Sequence, residues 1–381
     1  MAQRIVVIGG GIVGTSIARE LIVRGHKVTL VERASLGGAV TGASLACLGT
    51  HMNSRDEMEV LKWACAAWAD LAGLLKHSME YRRCGQLRFL DRAEDIPVAE
   101  DWIAFERAAG TRSELLSPEE VHRIEPLLTG RIVAATYAPD AATVTPFLAV
   151  RALIQDTIAR GLLVKTHTPV SDFSVKGGKV TGVLTAEGPI EADAVVLATG
   201  PWAPDLALKI GLDLPIQPRK AQCLASVRMP PSIRCVIAAC ESAGGVAAGY
   251  TQIQQAPSGQ ILFNTVLAGG LSAAGAQNLV SEVDPDFVCN SIRQLVALFP
   301  SLSTIEMLRS WVRYEAVTPD DRFIAGPSGV PGLYLAAGDG GSGFTRAPAL
   351  ARVIADALEG ALPPFDASVW SPSRFELATA A

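Results

Sequence analysis

The feature that most constrains this chain is a glycine pattern near its start, Gly9-x-Gly11-x-x-Gly14. The pattern follows a β-branched run, Ile5 to Ile8, which predicts a strand buried on both faces, and it precedes a helix predicted over Thr15 to Arg24. In such a unit the first glycine permits a tight turn, the second lets the backbone approach a pyrophosphate, and the third packs the helix on the strand. The N-terminus of the helix would then offer free N–H groups to that anion.

An acidic residue at the end of the next predicted strand, Lys27 to Glu32, completes this unit. Glu32 follows Gly14 at close to the roughly 20-residue spacing expected for a carboxylate that binds an adenosine ribose. The carboxylate also argues against a 2′-phosphate, so NADP is disfavoured. An ordinary glycine turn is the competing interpretation. The motif alone does not separate NAD from FAD.

Length and composition narrow the classes of protein to consider. A chain of 381 residues is too long for one ordinary domain, so two domains are expected. A hydrophobic content of 49% with 19% charged residues excludes a disordered chain. A formal net charge of −5 without a basic run predicts no nucleic-acid partner. The seven cysteines form no CxxC pair, which predicts reduced thiols and a cytoplasmic protein.

The apolar stretches are interrupted by glycine, proline or charge before the roughly 18 residues that a membrane span needs, so no span is expected. The first residues are interpreted as a strand rather than a signal peptide, because their apolar run ends in three glycines. No metal-ligand spacing, P-loop or Ser-His-Asp arrangement stands out.

The rest of the chain alternates helical and strand patterns. The helix predicted over Asp56 to Lys76 places Trp68 in the core, and Trp63 is also interpreted as core. Further predicted elements are a capped helix start at Ser117, a helix from Thr145 to about Arg160, a β-meander over Leu162 to Thr185, a strand over Ala194 to Ala198, strands within Pro215 to Phe263, and a helix from Asp284 to about Phe299.

A second glycine-rich turn, Gly338 to Gly343, joins a strand predicted over Leu333 to Ala337 to a helix predicted from about Ala347 to Leu358. Two such turns at opposite ends of the chain indicate an extended cofactor that meets a helix N-terminus at each end. A flavin needs such a dipole near its N1 and O2 atoms, because reduction leaves negative charge there. A flexible loop is the alternative interpretation of the second turn.

In its ordered set of motifs, the chain resembles the D-amino-acid oxidase-like FAD oxidoreductases, with glycine oxidase, sarcosine oxidase and the flavin subunits of bacterial opine or hydroxyproline dehydrogenases as relatives. The resemblance covers nearly the whole chain. It is carried by Val6 to Gly14, Val31 to Arg33, Thr41 to Ser44, Val196 to Trp202, Thr318 to Asp320, and Ala337 to Thr345.

The resemblance implies an α/β fold with two domains. The first would be a Rossmann-type, glutathione-reductase-like FAD domain with a parallel sheet and a β-meander, and the second an α+β substrate domain with a mixed sheet. We place the FAD domain at residues 1–85, 146–216 and 318–381, and the substrate domain at 86–145 and 217–317.

The resemblance also implies which residues contact the FAD. The first glycine turn would hold the pyrophosphate, Glu32 the adenosine ribose, and Val170 the adenine. Ala43, Ser44, Leu48 and Gly49 would lie along the ribityl chain and flavin, and Gly338 with Ser342 to Thr345 would meet the isoalloxazine. The full predicted set is Gly9, Gly10, Gly11, Ile12, Val13, Gly14, Glu32, Arg33, Ala43, Ser44, Leu48, Gly49, Val170, Gly200, Trp202, Gly338, Ser342, Gly343, Phe344 and Thr345.

Two departures from the family occur between Trp311 and Val317. Relatives with covalent flavin have a cysteine there; this stretch has none, which implies noncovalent FAD. Several relatives place a carboxylate-binding arginine four residues after the tryptophan, where this chain has Glu315. Either the substrate carboxylate is held elsewhere, or the pocket takes a cation such as the guanidinium of an arginine-derived opine. A surface ion pair of Glu315 with Arg313 or Arg322 is the competing interpretation.

Three other residues are candidates to face the substrate. His51 directly follows the segment implied to contact the flavin, and a structural histidine is the alternative. Tyr250 and Gln252 lie on a strand that the resemblance places over the flavin, where they could bond an amine or carboxylate. For the tyrosine, simple packing is the alternative.

The reaction implied by the resemblance is hydride transfer from a carbon bearing nitrogen to flavin N5, with an amine or amino acid of the opine or D-hydroxyproline type as substrate. No lysine follows Lys220, and some oxidases of the family use a lysine to help oxygen accept electrons. This favours a dehydrogenase that passes electrons to additional subunits carrying electron-transfer cofactors. An oxygen-dependent glycine or sarcosine type oxidase and a non-catalytic electron-relay subunit are the alternatives.

Overall fold

The computed structural model describes residues 2–240, 250–266, 282–338, 340–375 and 377. Within these ranges the strands form four sheets, accompanied by eight α-helices. Two of the sheets are large, and the site described below lies where they approach each other.

The first large sheet has six strands, of which only β19 runs antiparallel to its neighbour. In spatial order they are β19 (Ile324–Pro327), β20 (Leu333–Ala337), β13 (Ala194–Leu197), β1 (Arg4–Ile8), β2 (Lys27–Val31) and β9 (Leu163–Lys165). β1 lies inside the sheet, and its residues from Ile5 to Ile8 are buried. Burial on both faces is what the β-branched run predicts for a parallel strand.

Helices cover one face of this sheet, and a β-meander covers the other. The helices are α1 (Ile12–Val23), α2 (Met58–Leu74), α5 (Pro146–Ile158) and α8 (Gly343–Glu359). The meander consists of β10 (Val170–Lys176), β11 (Lys179–Thr185) and β12 (Gly188–Glu191), with the short helix α6 (Ala203–Ala207) beside it. Alternate residues of β1 therefore belong to two different apolar cores.

The second large sheet has eight strands and is mixed, since β15 and β5 pair in parallel and the other neighbours are antiparallel. In spatial order they are β18 (Met307–Val317), β14 (Gln217–Arg228), β17 (Gln260–Val266), β16 (Tyr250–Gln255), β15 (Val236–Ala239), β5 (Gln86–Leu90), β7 (Ala134–Ala138) and β6 (Glu114–Leu116).

The remaining elements accompany the eight-stranded sheet. Its apolar core includes residues of α4 (Pro118–Ile124) and α7 (Pro285–Leu298), and α3 (Ile96–Ala108) packs near β6 and β7. A small sheet is formed by β3 (Cys47–Leu48), β8 (Ala142–Thr143) and β4 (Arg82–Arg83). The fourth sheet is the meander.

This is the predicted α/β architecture, with a mostly parallel sheet, a β-meander and a second mixed sheet. All strands of the six-stranded sheet fall within residues 1–85, 146–216 and 318–381, and all strands of the eight-stranded sheet fall within 86–145 and 217–317. The assignment of these ranges to two domains stays a prediction, with which this distribution of strands agrees.

Two helix starts differ from the predictions. α1 begins at Ile12 rather than Thr15, because Gly14 already packs as a helical residue against the turn. α8 begins at Gly343 rather than Ala347. Pro348 therefore lies inside the helix and not in its first turn, where proline is favoured.

Candidate flavin site

A cavity of about 700 Å³ opens at the carboxyl ends of the parallel strands. Ile8, Val31, Ala198 and Ala337, at or just after the ends of β1, β2, β13 and β20, contribute to its wall. Ligands of open α/β sheets bind at this edge, where strands feed into loops and helix N-termini.

The first glycine turn forms one wall of the cavity and has no space for side chains. A Cβ on Gly9 would lie 2.3 Å from the Ala198 carbonyl oxygen, and Gly9 has a φ of 111°. A Cβ on Gly14 would lie 2.0 Å from the Gly9 carbonyl oxygen. Gly11 lines the cavity with an ordinary φ of −75°, and a Cβ on it would lie 3.1 Å from Thr41 Oγ1.

The N-terminus of α1 and Glu32 give this wall its polarity. The first turn of α1 holds no acidic residue, and the N–H of Ile12 donates to Thr41 Oγ1 at 2.9 Å. Glu32 accepts hydrogen bonds from the N–H groups of Gly10 (2.7 Å) and Ala34 (2.8 Å). A glycine cradle at a helix N-terminus beside a strand-end carboxylate fits the pyrophosphate and ribose of a dinucleotide.

The opposite wall suits an adenine. The Arg33 guanidinium lies 3.9 Å from the centroid of the Trp202 ring, and both residues line the cavity with Val170 and Gly200.

Of the residues predicted to contact the nucleotide half of FAD, Gly10 and Gly14 alone are absent from the lining. Other lining residues were not predicted: Ser35, Gly37, Thr168, Thr199, Asp205 and Lys209. The sequence marks Thr41 only as part of a family motif, because its hydrogen bond with the Ile12 N–H forms only when the chain folds back onto α1.

The residues predicted to lie along the flavin belong to a segment, Ala43 to Met52, that crosses one face of the eight-stranded sheet. We call it the crossing segment. Its carbonyl groups accept hydrogen bonds from side chains of that face: Ala43 from Trp311 Nε1 (3.1 Å) and Arg313 Nη1 (3.2 Å), Leu45 from Gln254 Nε2 (2.7 Å), and His51 from Arg88 Nη2 (3.2 Å). Ala43, next to Ser44, is thus bound by the second sheet, whereas Leu48 pairs with Ala142 in the small sheet and Gly49 lies against Ala141.

The second predicted flavin contact, at the start of α8, meets the crossing segment directly. Thr345 Oγ1 donates to the carbonyl of Cys47 at 3.0 Å, and Ser342 occupies the N-cap position of α8. Gly338 follows β20 with a φ of 77°. Sequence segments from opposite ends of the chain, including Gly343 and Phe344 in the first turn of α8, therefore come together, but none of their residues lines the cavity.

His51 is a fully buried residue with both ring nitrogens in hydrogen bonds. Nδ1 lies 2.9 Å from Glu106 Oε2, and Nε2 lies 2.7 Å from Thr136 Oγ1. Burial lowers the pKa of the His51 imidazole, against the opposing effect of the Glu106 carboxylate. The pKa of Glu106 is also low, because its bonds to His51 and to the Met52 N–H outweigh its burial. This geometry matches the structural-histidine alternative, and a role over the flavin stays a prediction.

Gln252 is buried on the same face of the sheet as Gln254 and donates to its Oε1 at 3.0 Å. It therefore lies beside the side chain that holds Leu45. The Tyr250 side chain lies outside the described residues, so its predicted role stays a prediction.

Glu315 lies in neither of the predicted environments. It is buried, and each carboxylate oxygen accepts two hydrogen bonds: Oε1 from Arg313 and Oε2 from Arg219, at 2.8 to 3.2 Å. The alternative of an ion pair was right about Arg313 and wrong about a surface location, while Arg322 instead pairs with Asp56. A carboxylate oxygen has two lone pairs, so these bonds leave none for a substrate cation.

The cysteines near the crossing segment are poor nucleophiles. Burial raises the pKa of Cys47 to about 12, and burial also raises the pKa of Cys223 against the effect of Arg313. Thiols in this state remain protonated at neutral pH. In the described ranges no cluster of three or more His, Cys, Asp or Glu could hold a metal ion, and no helix is long and apolar enough to cross a membrane.

Comparison with known proteins gives relatives along the whole chain. 4-Methylaminobutanoate oxidase (formaldehyde-forming) of Paenarthrobacter nicotinovorans is 28% identical, over 98% of this chain but 45% of that protein. Glycine oxidase of Geobacillus kaustophilus is 26% identical, over 97% of this chain and 96% of that one. The crystal structure of L-proline dehydrogenase from P. horikoshii superposes with a TM-score of 0.89 at 26% identity, over 98% of both chains.

The chain spans about half the length, or less, of the first curated relatives that it matches. The family model described as DAO, FAD dependent oxidoreductase, matches residues 4–357. This match and the glycine cradle confirm the predicted family, fold class and FAD cofactor. The chain belongs to the DAO family of FAD-dependent oxidoreductases.

Proposed function

We propose that the chain is a dehydrogenase that oxidises the C–N bond of a secondary amine or amino acid and passes the electrons to an acceptor other than oxygen. The substrate class is supported by the relatives, which are named for a methylamino acid, glycine and proline. When bound, FAD supplies the hydride acceptor for such a reaction.

The residues of this chain would hold the cofactor and limit its access to water. The glycine turn and Glu32 would bind the dinucleotide, and the polar face of the eight-stranded sheet would hold the crossing segment in place. Orientation of substrate and cofactor in a dry pocket is the main contribution that a protein makes to hydride transfer.

The position of Lys220 is the observation that supports a dehydrogenase over an oxygen-dependent oxidase. Lys220 is the only lysine in the described strands of the eight-stranded sheet, and the sequence has none after it. Cys223, on the same strand, points to the crossing segment, where its Sγ lies 3.6 Å from the Ala43 carbonyl oxygen. Successive strand residues alternate between faces, so Lys220 points to the other face. An ammonium group that could stabilise developing superoxide is thus lacking from this face in the described strands. The guanidinium groups of Arg88 and Arg313 do lie on this face, and the rate of reoxidation by air measures whether they substitute for a lysine.

The contacts of Glu315 argue against an arginyl opine as the substrate, since its oxygens are fully occupied by Arg219 and Arg313. We therefore propose N-methylated or cyclic amino acids as substrates in place of arginyl opines. Additional subunits as electron acceptors remain part of the proposal.

An oxygen-dependent oxidase of glycine type is the second candidate. It is favoured by one observation: the chain and the glycine oxidase of Geobacillus kaustophilus cover each other almost completely.

An anaerobic substrate screen tests the proposal. The purified, FAD-loaded chain is mixed without oxygen with proline, hydroxyproline, sarcosine, 4-methylaminobutanoate, glycine and an arginyl opine, and flavin absorbance is followed. We expect a secondary amine to bleach the flavin, and air to reoxidise it much more slowly than an artificial acceptor such as a phenazine. Bleaching by glycine with rapid reoxidation by air would support the oxidase instead. No bleaching by any compound would contradict both.

A further inference from the structure

A buried group of three charged residues joins β14 to β18 beside the candidate flavin site. Glu315 has only 2% of its surface exposed, and Arg219 is its direct cross-strand neighbour. Arg313 lies two residues before Glu315 on the same face of β18. Each guanidinium donates through Nε and Nη2 to one carboxylate oxygen. Arg219 binds Oε2, with Nη2 at 2.8 Å, and Arg313 binds Oε1, with Nη2 at 2.9 Å.

One of these guanidinium groups extends to the crossing segment. While its Nε and Nη2 bind Glu315, Arg313 donates from Nη1 to the carbonyl of Ala43 at 3.2 Å and to Cys223 Sγ at 3.0 Å. A guanidinium is planar and rigid, so fixing two of its nitrogens on a carboxylate also fixes the direction of the third. Glu315 therefore determines where Arg313 meets the crossing segment.

Glu315 also lies against the second glycine turn. A Cβ on Gly341 would lie 3.3 Å from Glu315 Oε1 and 3.6 Å from Arg219 Nη2. The N–H of Gly340 donates to the carbonyl of Ala316 at 2.7 Å. The turn before α8 is thus held against β18 at the position of Glu315 and its neighbour.

From these contacts we propose that Glu315 is a positioning residue that links the two segments predicted to contact the flavin and sets the local positive charge beside it. Two guanidinium groups and one carboxylate leave one net positive charge in the group. Asp321 Oδ1 lies 3.9 Å from Arg219 Nη1, but its side chain is largely exposed, so solvent screens it. Arg313 and Arg219 keep the pKa of Glu315 below its usual range despite the opposing effect of burial.

A buried ion pair is weak evidence for stability, since desolvation offsets much of the attraction between the charges. The group formed by Glu315, Arg219 and Arg313 instead gives the flavin surroundings a defined charge and a defined geometry. Removing the carboxylate would raise the net charge of the group by one, whereas removing Arg219 would lower it by one and leave a neutral pair. The two changes alter the charge near the flavin in opposite directions.

The test compares Glu315→Gln and Arg219→Met with Asp356→Asn. Asp356 is a matched control, because it is also a buried carboxylate between two arginines, Arg24 and Arg352, and it lies near the far end of α8 from the flavin. The flavin midpoint potential is measured by reductive titration without an amine substrate. The dissociation constant of FAD is measured on the apoprotein, with the melting temperature of each apoprotein as a measure of folding.

We expect Glu315→Gln to shift the midpoint potential in the positive direction and Arg219→Met to shift it in the negative direction. Loss of the charged hydrogen bonds that hold Arg313 should weaken FAD binding about tenfold to a hundredfold in Glu315→Gln. Asp356→Asn should lower the melting temperature but leave potential and FAD affinity unchanged. If Glu315→Gln does not fold, Arg219→Met alone decides, because the Arg219 side chain is 26% exposed and less important for packing.

Potentials that do not move relative to Asp356→Asn, or that move in the same direction in both variants, would overturn the proposal. The readouts use no substrate, so failure here leaves the proposed amine oxidation untouched, and a failed substrate screen leaves this inference untouched.

Discussion

The Trp68 indole donates a hydrogen bond to the Phe344 carbonyl of α8, for which Pro348 has no N–H to donate. In an α-helix the N–H of residue 348 would donate to the carbonyl of Phe344, but proline has no N–H. Trp68 Nε1 lies 3.1 Å from the Phe344 carbonyl oxygen and 3.2 Å from that of Thr345. Trp68 is fully buried and its ring stacks on Phe344 at 5.5 Å between centroids. The first turns of α8, where the flavin is expected, therefore depend on a side chain of α2.

The substitution Trp68→Phe measures this dependence. Leaving a buried carbonyl without a donor costs about 1–3 kcal/mol. The smaller ring adds a cavity cost of about 1–2 kcal/mol. We therefore expect the free energy of unfolding to fall by roughly 2–5 kcal/mol.

A second substitution separates the two contributions. Pro348→Ala restores a backbone N–H that can donate to the Phe344 carbonyl. In the Pro348→Ala background, Trp68→Phe should cost only the cavity contribution, so the two substitutions should couple by the hydrogen-bond contribution, about 1–3 kcal/mol.

Urea denaturation of the four apoproteins, followed by circular dichroism, provides the measurement. The midpoints are comparable if the slopes of the four transitions agree, as expected when the same surface is exposed on unfolding. An equal cost of Trp68→Phe in both backgrounds would show that the indole contributes by packing alone, and the explanation given for Pro348 would be refuted.

Two further predictions follow from the glycine turn and from His51. Gly11→Ala should fold but bind FAD at least about tenfold more weakly, since its Cβ would lie 3.1 Å from Thr41 Oγ1 and displace this cavity-lining side chain from the Ile12 N–H, whereas Gly14→Ala should fail to fold stably because its Cβ would meet the Gly9 carbonyl. The pKa values of His51 and Glu106 both lie below their usual ranges, so the neutral imidazole and the ionised carboxylate are the folded forms. Stability should therefore fall as pH drops below about 6.5. His51→Gln should reduce the slope of melting temperature against pH between about pH 6.5 and 5, while the exposed-site control His122→Gln keeps it. An unchanged slope in His51→Gln would contradict the assignment.

Features set by neighbouring residues could be predicted from the sequence. The capping box of α4 needs only Ser117 and Glu120, and both of its hydrogen bonds are present. Asp284 likewise caps α7 through the N–H groups of Asp286 and Phe287. The β-meander follows from its Gly-Gly turn, which pairs Lys176 with Lys179. In each case the residues that form the hydrogen bonds are close together in the sequence, within one helix turn or one hairpin, so the sequence pattern contains all of them.

Features that depend on distant partners could not be predicted. α8 begins at Gly343, before the predicted start at Ala347, and the carbonyl for which Pro348 supplies no N–H is bound by Trp68, a residue far away in the sequence. Glu315 was assigned to a surface or a substrate because its partner Arg219 becomes a neighbour only through the register of β14 and β18. The Glu106 carboxylate reaches His51 from α3, a helix that the sequence pattern did not single out.

The polar face of the eight-stranded sheet has a physical reason that bears on the site as a whole. The crossing segment is mostly irregular, so its buried carbonyls need donors from elsewhere. The N–H groups of the sheet are committed to its own ladders, which leaves side chains as the donors. Trp311, Arg313, Gln254 and Arg88 fill this role along one face. Apolar substitution of these four residues should therefore release the crossing segment, and with it the flavin, before it disturbs the sheet that carries them.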